Sequence, residues 1–427
     1  MNGSVISHKL LQLSFVGLLA DLFIYSRIFL EIRVQDIAMI VMILSCGPLV
    51  RMIRRDTNLK QVFVLMLLYI YYIAMSNLVF VAHYGLWARH ILYIIKEMEY
   101  FVTFFLAIYV YRADHTGLVR KIIKVFVLVN LVYGLSQVAM GKISYYGIGS
   151  LVTGAPSASG NVYFMASVLM FYLYLNETKK SNLLISIIML ALSFATVSRT
   201  YILASAVFAL AFAGLTLLET VGGRRVRKSS MIMIIFLLTI VIGVLCACIG
   251  LDLPGEFNRR FSDNPIFNTI LGRMNRLVAA FGVRANKTSY YYRTFVEDNV
   301  SVWLFGKGKG ITEQYFGVST LAVDNQYLRA LIEMGLIGSI LWFTVPMWIA
   351  RELKHKRRTL ERKVFLSLFL SYLAASIGTE VFQTTRPAMS FWLVSGILFA
   401  HTAESAVSSR VNCNANAVNQ ADPYANT

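Results

Sequence analysis

Apolar runs of membrane-spanning length recur along most of this chain. A helix needs about 20 mostly apolar residues to cross a bilayer, and twelve stretches come close to that length. They lie near residues 10–30, 36–50, 61–81, 90–111, 122–140, 161–176, 182–198, 200–218, 231–251, 326–350, 364–380 and 388–403. The pattern predicts an all-α polytopic membrane protein with about twelve transmembrane helices. The predicted divisions are a bundle of spans over 1–251, a large loop over 252–325, a second set of spans over 326–403 and a disordered tail over 404–427.

Composition agrees with a lipid environment. Hydrophobic residues make up 57% of the chain and charged residues 15%, whereas soluble proteins average about 45–50% and 25%. A water-soluble fold is therefore excluded. The four cysteines show neither a metal-ligand spacing nor a disulfide framework, so no metal site is predicted.

Lys and Arg residues are concentrated in alternate connections between the predicted spans. With the N-terminus inside, the short cytoplasmic connections carry 23 of them and the short opposite connections carry six. Positive loops stay cytoplasmic, so both termini are predicted to be cytoplasmic and the loop over 252–325 external. The chain has a formal net charge of +18, and its positive residues are concentrated in cytoplasmic loops that would meet anionic lipid headgroups. Membrane lipids, and no nucleic acid, are the predicted partners.

The external loop begins with a helical pattern that carries arginines. Between Thr269 and Arg284, apolar residues recur at helical spacing, with Arg273 and Arg276 elsewhere on the wheel. Such a segment is typical of an amphipathic helix at the membrane interface. It either anchors the loop at the headgroups or holds a phosphate-bearing ligand.

The middle of the loop is rich in aromatic residues and glycine. Tyr290, Tyr291 and Tyr292 precede Arg293. Such tyrosines either stack on the C–H faces of sugar rings or form an interfacial belt. A Gly-Lys-Gly-Lys-Gly turn follows at 306–310. Glycine permits positive φ, so the turn is either an anion cradle or an ordinary Gly-rich turn.

A polar stripe marks the end of the loop, where the chain re-enters the membrane. Asn325, Arg329 and Glu333 are spaced by four residues and share one helical face. Polar groups entering hydrocarbon are costly, so this face should point towards protein or a water-filled cavity. Arg329 and Glu333 either pair with each other or take part in a site.

Ionisable residues also lie within the predicted fourth span, at Lys96, Glu97 and Glu99. Lys96 and Glu99 share a helical face. Charges within the membrane indicate a functional site by default, although neutralising pairs between neighbouring helices explain them equally well. Asp21 in the first span is a candidate partner.

Three motifs together resemble a known family. A Ser-Arg pair at 198–199 opens a span, an Arg in the external loop is followed a dozen residues later by Gly-x-Gly, and the loop ends in Asp-Asn-Gln-Tyr-Leu and Glu-x-Gly-Leu-Ile-Gly. This combination, over roughly residues 150–345, resembles the superfamily of O-antigen ligases and Wzy-type polysaccharide polymerases. The resemblance implies a GT-C-like fold in the bacterial inner membrane, with the large loop in the periplasm between spans nine and ten.

The resemblance also implies an activity and its partners. Members act on oligosaccharides linked to undecaprenyl diphosphate at the periplasmic face, with no nucleotide sugar, metal or other cofactor, and a chain-length regulator protein is a candidate partner. Ligases carry His immediately before the Asn at the loop's end, whereas this chain has Asp324. That departure favours a polymerase. A ligase that transfers glycan to lipid A-core remains an alternative, as does a secondary transporter or lipid-linked oligosaccharide flippase.

Glycan transfer from a lipid diphosphate assigns roles to particular residues. Arginine forks suit the oxygens of the departing diphosphate, and the residues predicted to bind it are Arg199, Arg273, Arg276 and Arg293. A carboxylate that takes the acceptor hydroxyl's proton is predicted at Asp324 or Glu333, with Arg199 and Arg293 as the other catalytic residues. The residues predicted to contact the glycan are Tyr290, Tyr291, Tyr292, Asn325 and Arg329.

Overall fold

The structure, a computed structural model, is an all-α bundle with one short hairpin. It describes residues 2–24, 27–29, 32–85, 88–114, 116–140, 148–152, 156–196, 198–221, 289–290, 292–294, 297, 300–312, 325–355, 359–377, 379, 381–382 and 384–400. The helices are α1 (Asn2–Phe23), α2 (Val34–Leu44), α3 (Gly47–Arg55), α4 (Thr57–Tyr84), α5 (Ala88–Arg112), α6 (Leu118–Ala139), α7 (Pro156–Glu177), α8 (Lys180–Ala195), α9 (Arg199–Val221), α10 (Val300–Phe305), α11 (Gln326–His355), α12 (Thr359–Ala375) and α13 (385–400). Strands β1 (Arg27–Phe29) and β2 (Ile32–Arg33) pair antiparallel.

A multi-pass membrane protein is confirmed by the length and hydropathy of the described helices. Six of them are long and apolar enough to cross a membrane, and the bent pair α2–α3 makes a seventh. These six are α1, α4, α6, α7, α9 and α11. The span predicted at 231–251 and the tail predicted at 404–427 lie outside the described residues.

Two of the predicted spans differ in shape from the sequence expectation. The first helix ends at Phe23, rather than near residue 30, because the chain turns into the β1–β2 hairpin. The second predicted span is two helices that bend by 68°. Pro48 lies in the first turn of α3, where a proline is tolerated because the helix needs no N–H there, but proline cannot continue a preceding helix.

The helices alternate in direction, so the bundle has two distinct ends. Glu219 near the end of α9 pairs with Lys363 near the start of α12 at 2.9 Å. At the other end, the Thr200 and Thr379 hydroxyls lie 2.9 Å apart, and the Gln326 N–H donates to the Ser376 carbonyl at 3.0 Å. The starts of α9 and α11 therefore lie with the end of α12.

We call these two regions the basic end and the charge-cluster end. The basic end contains the connections near 51–60, 112–124, 177–180 and 351–363, which are rich in Lys and Arg. The charge-cluster end contains the last turns of α1 and α4 and the first turns of α5, α9, α11 and α13. Aromatic packing fills the core between them, as where the rings of Phe171 on α7 and Phe212 on α9 lie 5.1 Å apart.

Candidate functional site

Helix α11 is broken close to the charge-cluster end. Gly335 adopts φ 64° and ψ −173°, a region that essentially only glycine occupies. The break leaves backbone carbonyls without intrahelical donors, and neighbouring groups replace them. The Lys307 N–H donates to the Ile332 carbonyl at 2.7 Å and the Gly308 N–H to that of Glu333 at 3.0 Å. The Tyr72 hydroxyl donates to the Met334 carbonyl at 2.8 Å.

The Gly-Lys turn packs directly on this break. A Cβ atom at Gly306 would lie 2.5 Å from the Glu333 carbonyl, and one at Gly335 would collide with the Leu304 carbonyl oxygen. Glycine is therefore required on both sides of the contact. Two motifs that the sequence analysis treated separately, Gly-x-Gly and Glu-x-Gly, form one backbone-to-backbone junction.

Of the two interpretations of the turn, this junction favours a structural Gly-rich turn over an anion cradle. The N–H groups of residues 306–308 donate to the carbonyls of Val302, Ile332 and Glu333. The Lys309 N–H donates to Asn77 Oδ1 on α4 at 2.6 Å. Because these groups are engaged within the protein, the turn does not present them to a ligand.

Two ion pairs are buried at the junction. Lys309 Nζ contacts Glu97 Oε1 on α5, and each side chain is 4% exposed. Arg329 Nε donates to Glu333 Oε1 at 2.9 Å, and the Thr312 hydroxyl donates to the same oxygen at 2.9 Å. The sequence left open whether Arg329 and Glu333 pair; they do, and both are buried as the polar stripe required.

Burial changes the acid–base behaviour of Lys309, which lies in the turn outside the spans. Removal from water lowers the pKa of the Lys309 amine to about 7, with Glu333 opposing the change and Arg329 adding to it. A buried amine with a lowered pKa beside carboxylates is typical of functional sites.

A second cluster of charged and polar groups lies on the neighbouring face of α5. Lys96 Nζ donates to Glu99 Oε2 at 2.7 Å, as the shared helical face predicted. With its amide oriented to satisfy both neighbours, buried Gln35 donates to Asp21 Oδ2 and accepts from Lys96 Nζ, each at 3.0 Å. Arg386 Nε lies 3.9 Å from Asp21 Oδ2. Asp21 is therefore linked to Lys96 through Gln35.

A cleft beside the junction separates α11 from α12, and we call it the aromatic cleft. Its walls contain the rings of Tyr69, Tyr327, Trp342, Phe343 and Phe382. The cleft is narrow, with a cavity volume of about 30 Å³, which is room for about two water molecules.

The polar groups of the aromatic cleft come from four parts of the chain. Glu97 and Lys309 reach it from α5 and the Gly-Lys turn, Gln326 and Ser339 from α11, and Ser376 from the end of α12. The Gln326 side-chain oxygen accepts from the Phe382 N–H at 2.9 Å. This bond ties the start of α11 to the segment that follows α12.

The structure brings some of the predicted site residues together and leaves others apart. Arg329 and Glu333 join the buried junction. Asn325 caps α11, because its Oδ1 accepts from the N–H groups of Tyr327 at 3.0 Å and Leu328 at 3.2 Å. The exposed residues among those predicted are Tyr290, Tyr292 and Arg293.

Other predicted residues are described in part or not at all. Arg199 is the first residue of α9, at the charge-cluster end, but its side chain lies outside the description. The predicted site residues outside the described parts of the chain are Arg273, Arg276, Tyr291 and Asp324.

Sequence reasoning missed the partners that come from distant parts of the chain. Glu97 was recognised as an intramembrane acid, but nothing in the local pattern pointed to Lys309. Gln35 and Arg386 were likewise missed as partners of Asp21. The sequence marked Lys309 only as a positive charge flanked by glycines, in a turn interpreted either as an anion cradle or as an ordinary Gly-rich turn.

No protein-family model matches the chain, and no curated protein matches it. Within the described residues, no group of three or more His, Cys, Asp or Glu side chains is placed to hold a metal ion.

Proposed function

We propose that this protein is a membrane glycosyltransferase that polymerises a surface polysaccharide. It transfers a growing glycan from undecaprenyl diphosphate to a hydroxyl of a lipid-linked repeat unit, at the periplasmic face of a bacterial inner membrane. The proposal includes about twelve spans in a GT-C-like arrangement, with cytoplasmic termini and the 252–325 loop outside. The family resemblance suggests this activity.

The observation that best supports the proposal is the convergence of residues at the charge-cluster end. The first turn of α9, with Arg199, lies beside the segment after α12, and that segment contacts Gln326 at the start of α11. Buried charges and an aromatic cleft lie at the same end. A lipid-linked glycan would present its diphosphate at headgroup depth and its sugars beyond, next to this end.

Arginines would assist departure of the diphosphate. Charge develops on the leaving oxygen as the bond to the sugar breaks, and positioned cations stabilise it. Arg199 is the first candidate. Arg293 is exposed and accessible to a ligand, and Arg273 and Arg276 belong to the same proposal. Glu333 pairs with Arg329 and would hold the broken part of α11 in place. Of the two carboxylates predicted as the base, this leaves Asp324.

The test supplies purified protein with a single substrate, the undecaprenyl diphosphate-linked repeat unit. A polymerase converts it into a ladder of lengths, whereas a ligase lacks its lipid A-core acceptor and makes none. Arg199→Ala should lower chain growth by about 10²–10³-fold, and Arg199→Lys should restore part, because a point charge lacks the bidentate fork. Arg351→Ala is the matched control, since Arg351 lies over Trp348 at the basic end.

A transporter or flippase is the second candidate, and the broken helix favours it. Discontinuous helices with buried charges surround the substrate sites of many secondary transporters, and the α11 break resembles them. Vesicles containing the protein distinguish the two functions. Translocation of the lipid-linked repeat without ladders would support the flippase and contradict the polymerase.

A further inference from the structure

A groove on the outer surface of the bundle lies between α4 and α10, and we call it the lateral groove. Its cavity volume is about 710 Å³, within the range of about 300–1,000 Å³ that small-molecule sites occupy. The residues that give its walls their character are Tyr72, Met75 and Val79 of α4 and Ser301, Phe305 and Lys307. Its volume far exceeds that of the aromatic cleft, so it can admit part of an organic ligand.

The lateral groove runs along one leaflet of the membrane. The candidate span in α4 ends at Ala82. At 1.5 Å per residue, Val79 lies about 5 Å deeper than Ala82 and Tyr72 about 15 Å deeper. Half of the hydrocarbon core of a bilayer is about 15 Å thick. The groove therefore extends from the headgroup boundary towards the bilayer centre, in the leaflet at the charge-cluster end.

Helix α10 is held at this depth by contacts with α4. The Tyr72 hydroxyl lies 2.9 Å from the Phe305 carbonyl, and the Lys309 N–H donates to Asn77 Oδ1. Although α10 belongs to the loop predicted to be external, the side chains of Trp303 and Phe305 are exposed and apolar. At this depth they would meet lipid rather than water, so the groove opens to the membrane.

The groove carries one positive charge. The second lysine of the Gly-Lys turn, Lys309, contacts Glu97 inside the bundle, whereas Lys307 is half-buried and lines the groove. Of the described residues that line the groove, Lys307 is the only charged one. Because the turn's N–H groups are engaged within the protein, a ligand here would meet the Lys307 side chain and not the backbone.

This charge lies at the shallow end of the groove. Gly308 packs against Phe80, which is about 3 Å deeper than Ala82 at 1.5 Å per residue. Lys307 directly precedes Gly308, and the long stem of a lysine can carry its ammonium to the headgroups. A negative headgroup and an apolar chain below it would match this arrangement.

The number of charges selects the class of lipid. Lysine is a single point charge, whereas arginine forks suit the several oxygens of a diphosphate. One cation matches the one negative charge of a phosphodiester and leaves the greater charge of a diphosphate without partners. The groove is therefore better suited to a phospholipid than to a diphosphate-linked lipid.

We propose that the lateral groove binds one anionic phospholipid of the leaflet at the charge-cluster end. Its phosphodiester lies beside the Lys307 ammonium and near the Ser301 hydroxyl, and one acyl chain lies along Val79, Met75 and Tyr72. The bound lipid covers the exposed side of α10. This inference goes beyond the proposed function and does not depend on it.

The first experiment tests the charge. Delipidated full-length protein in detergent is titrated with dioleoyl phosphatidylglycerol, and native mass spectrometry measures the affinity of the first bound lipid. Lys307→Gln should weaken this affinity about fivefold, the effect of one lysine near a membrane surface, and Lys307→Arg should retain it. The matched control is Lys121→Gln, because Lys121 is an exposed lysine at the basic end and does not line the groove.

The second experiment tests the path of the acyl chain. Val79→Trp fills the groove with an indole ring and should remove the tight site, so that one lipid fewer is retained. Leu78→Trp is the matched control on the same helix. Leu78 is 61% exposed and Val79 59%, but Leu78 does not line the groove, so its replacement should leave the tight site unchanged.

Two further lipids identify the ligand. Phosphatidylcholine, which has no net charge, should bind wild type about fivefold more weakly than phosphatidylglycerol, since the lysine gains less from it. Undecaprenyl diphosphate at equal concentration should not displace phosphatidylglycerol. Displacement would overturn the proposal and assign the groove to a diphosphate-linked lipid.

The other outcomes bear on single parts of the site. Unchanged binding by Lys307→Gln, or equal affinities for the two phospholipids, would overturn the headgroup contact. Retention of the tight site in Val79→Trp would overturn the groove as its location. If Lys307→Gln does not elute as a monodisperse protein, the comparison of the two phospholipids on wild type decides. None of these measurements requires glycan transfer, so they stand apart from the test of the polymerase.

Discussion

The two ends of the bundle differ in their most buried ion pairs, although the charge-cluster end also contains the partly exposed pair Lys96–Glu99, with side chains 31% and 12% exposed. At the basic end, Asp56–Arg112, Lys124–Glu177 and Lys363–Glu219 join neighbouring helix ends, and their side chains are 14–31% exposed. At the charge-cluster end, the side chains of Glu97–Lys309 and Arg329–Glu333 are at most 6% exposed.

This difference in burial suggests that the basic end anchors the protein at the headgroups and that the charge-cluster end contains the candidate site. Partly exposed pairs contribute about 0–1 kcal/mol and suit loops that meet headgroups. Burying a charge costs several kcal/mol, which a good partner only offsets. The charge-cluster end also contains the helix break and the cleft, so three costly features occur together there. Such concentration favours function over stability.

The largest expected effect concerns the side of the membrane on which each end lies. A reporter fused after Tyr290 should report the periplasm, and one fused after Arg225 or Lys356 should report the cytoplasm, because basic loops are retained inside. Alkaline phosphatase activity measures the first and green fluorescence the second. A cytoplasmic signal at residue 290 would contradict the prediction that the two ends of the bundle lie on opposite sides of the membrane.

Breaking one pair at each end should give unequal losses of stability. Lys309→Met leaves the Glu97 carboxylate buried without its partner and should lower the free energy of unfolding by about 3–5 kcal/mol. Lys363→Met, which removes the partner of Glu219, should cost about 0–1 kcal/mol. Reversible unfolding in mixed micelles measures both values.

The double variant Glu97→Gln/Lys309→Met serves as the control. Because it removes both charges, it should be more stable than Lys309→Met alone. If Lys309→Met and Lys363→Met have the same free energy of unfolding, breaking the buried pair costs no more than breaking the partly exposed pair.

Replacing a glycine by alanine should have opposite effects on stability at the two ends. Gly335→Ala should destabilise by about 1–3 kcal/mol, because the backbone angles at the break exclude a side chain and a Cβ would meet Leu304. Gly214→Ala within α9 has no atom near its Cβ and should stabilise by about 0.5–1 kcal/mol. Opposite signs in the same unfolding assay are expected. Stabilisation by Gly335→Ala would contradict the broken helix.

The sequence predicted the local parts of this arrangement. Spacing of three and four residues placed Lys96 beside Glu99 and Arg329 beside Glu333, because helical geometry alone fixes such neighbours. Hydropathy predicted a multi-pass membrane protein, since crossing a bilayer requires long apolar helices, and six or seven candidate spans are found among the described residues.

The remaining parts depend on tertiary packing and could not be derived from local patterns. Glu97 and Lys309 are distant in the chain, and their contact requires the turn to dock between α4, α5 and α11. The break at Gly335 could not be predicted from the apolar run around it, because a single glycine within a helical pattern is usually tolerated. The end of α1 at Phe23 depends on the hairpin.

The buried amine should make stability depend on pH. Unfolding returns the pKa of Lys309 from about 7 to its ordinary 10.5, so the unfolded chain binds more protons between these values. The free energy of unfolding should therefore rise with pH across this window, by at most about 1.4 kcal/mol per pH unit, and show no such rise below pH 7.

The difference between wild type and Glu97→Gln/Lys309→Met isolates this effect from other titrations. Parallel stability curves between pH 7 and 10.5 would contradict a lowered pKa. The charged groups that act on the Lys309 amine are Glu97, which contacts it, and Glu333 and Arg329 nearby.

The smallest effect distinguishes a helix cap from a glycan contact at Asn325. Asn325→Ala should lower the free energy of unfolding by about 1 kcal/mol, because it removes the cap of α11. Asn325→Asp keeps the capping oxygen and should leave the free energy of unfolding unchanged. If the amide N–H₂ also contacts the glycan, as the sequence predicts, both variants should raise KM for the lipid-linked repeat. Asp56→Ala removes the cap of α4 at the basic end and should lower stability with KM unchanged. A KM for Asn325→Asp equal to that of wild type would mean that Asn325 acts as a cap alone.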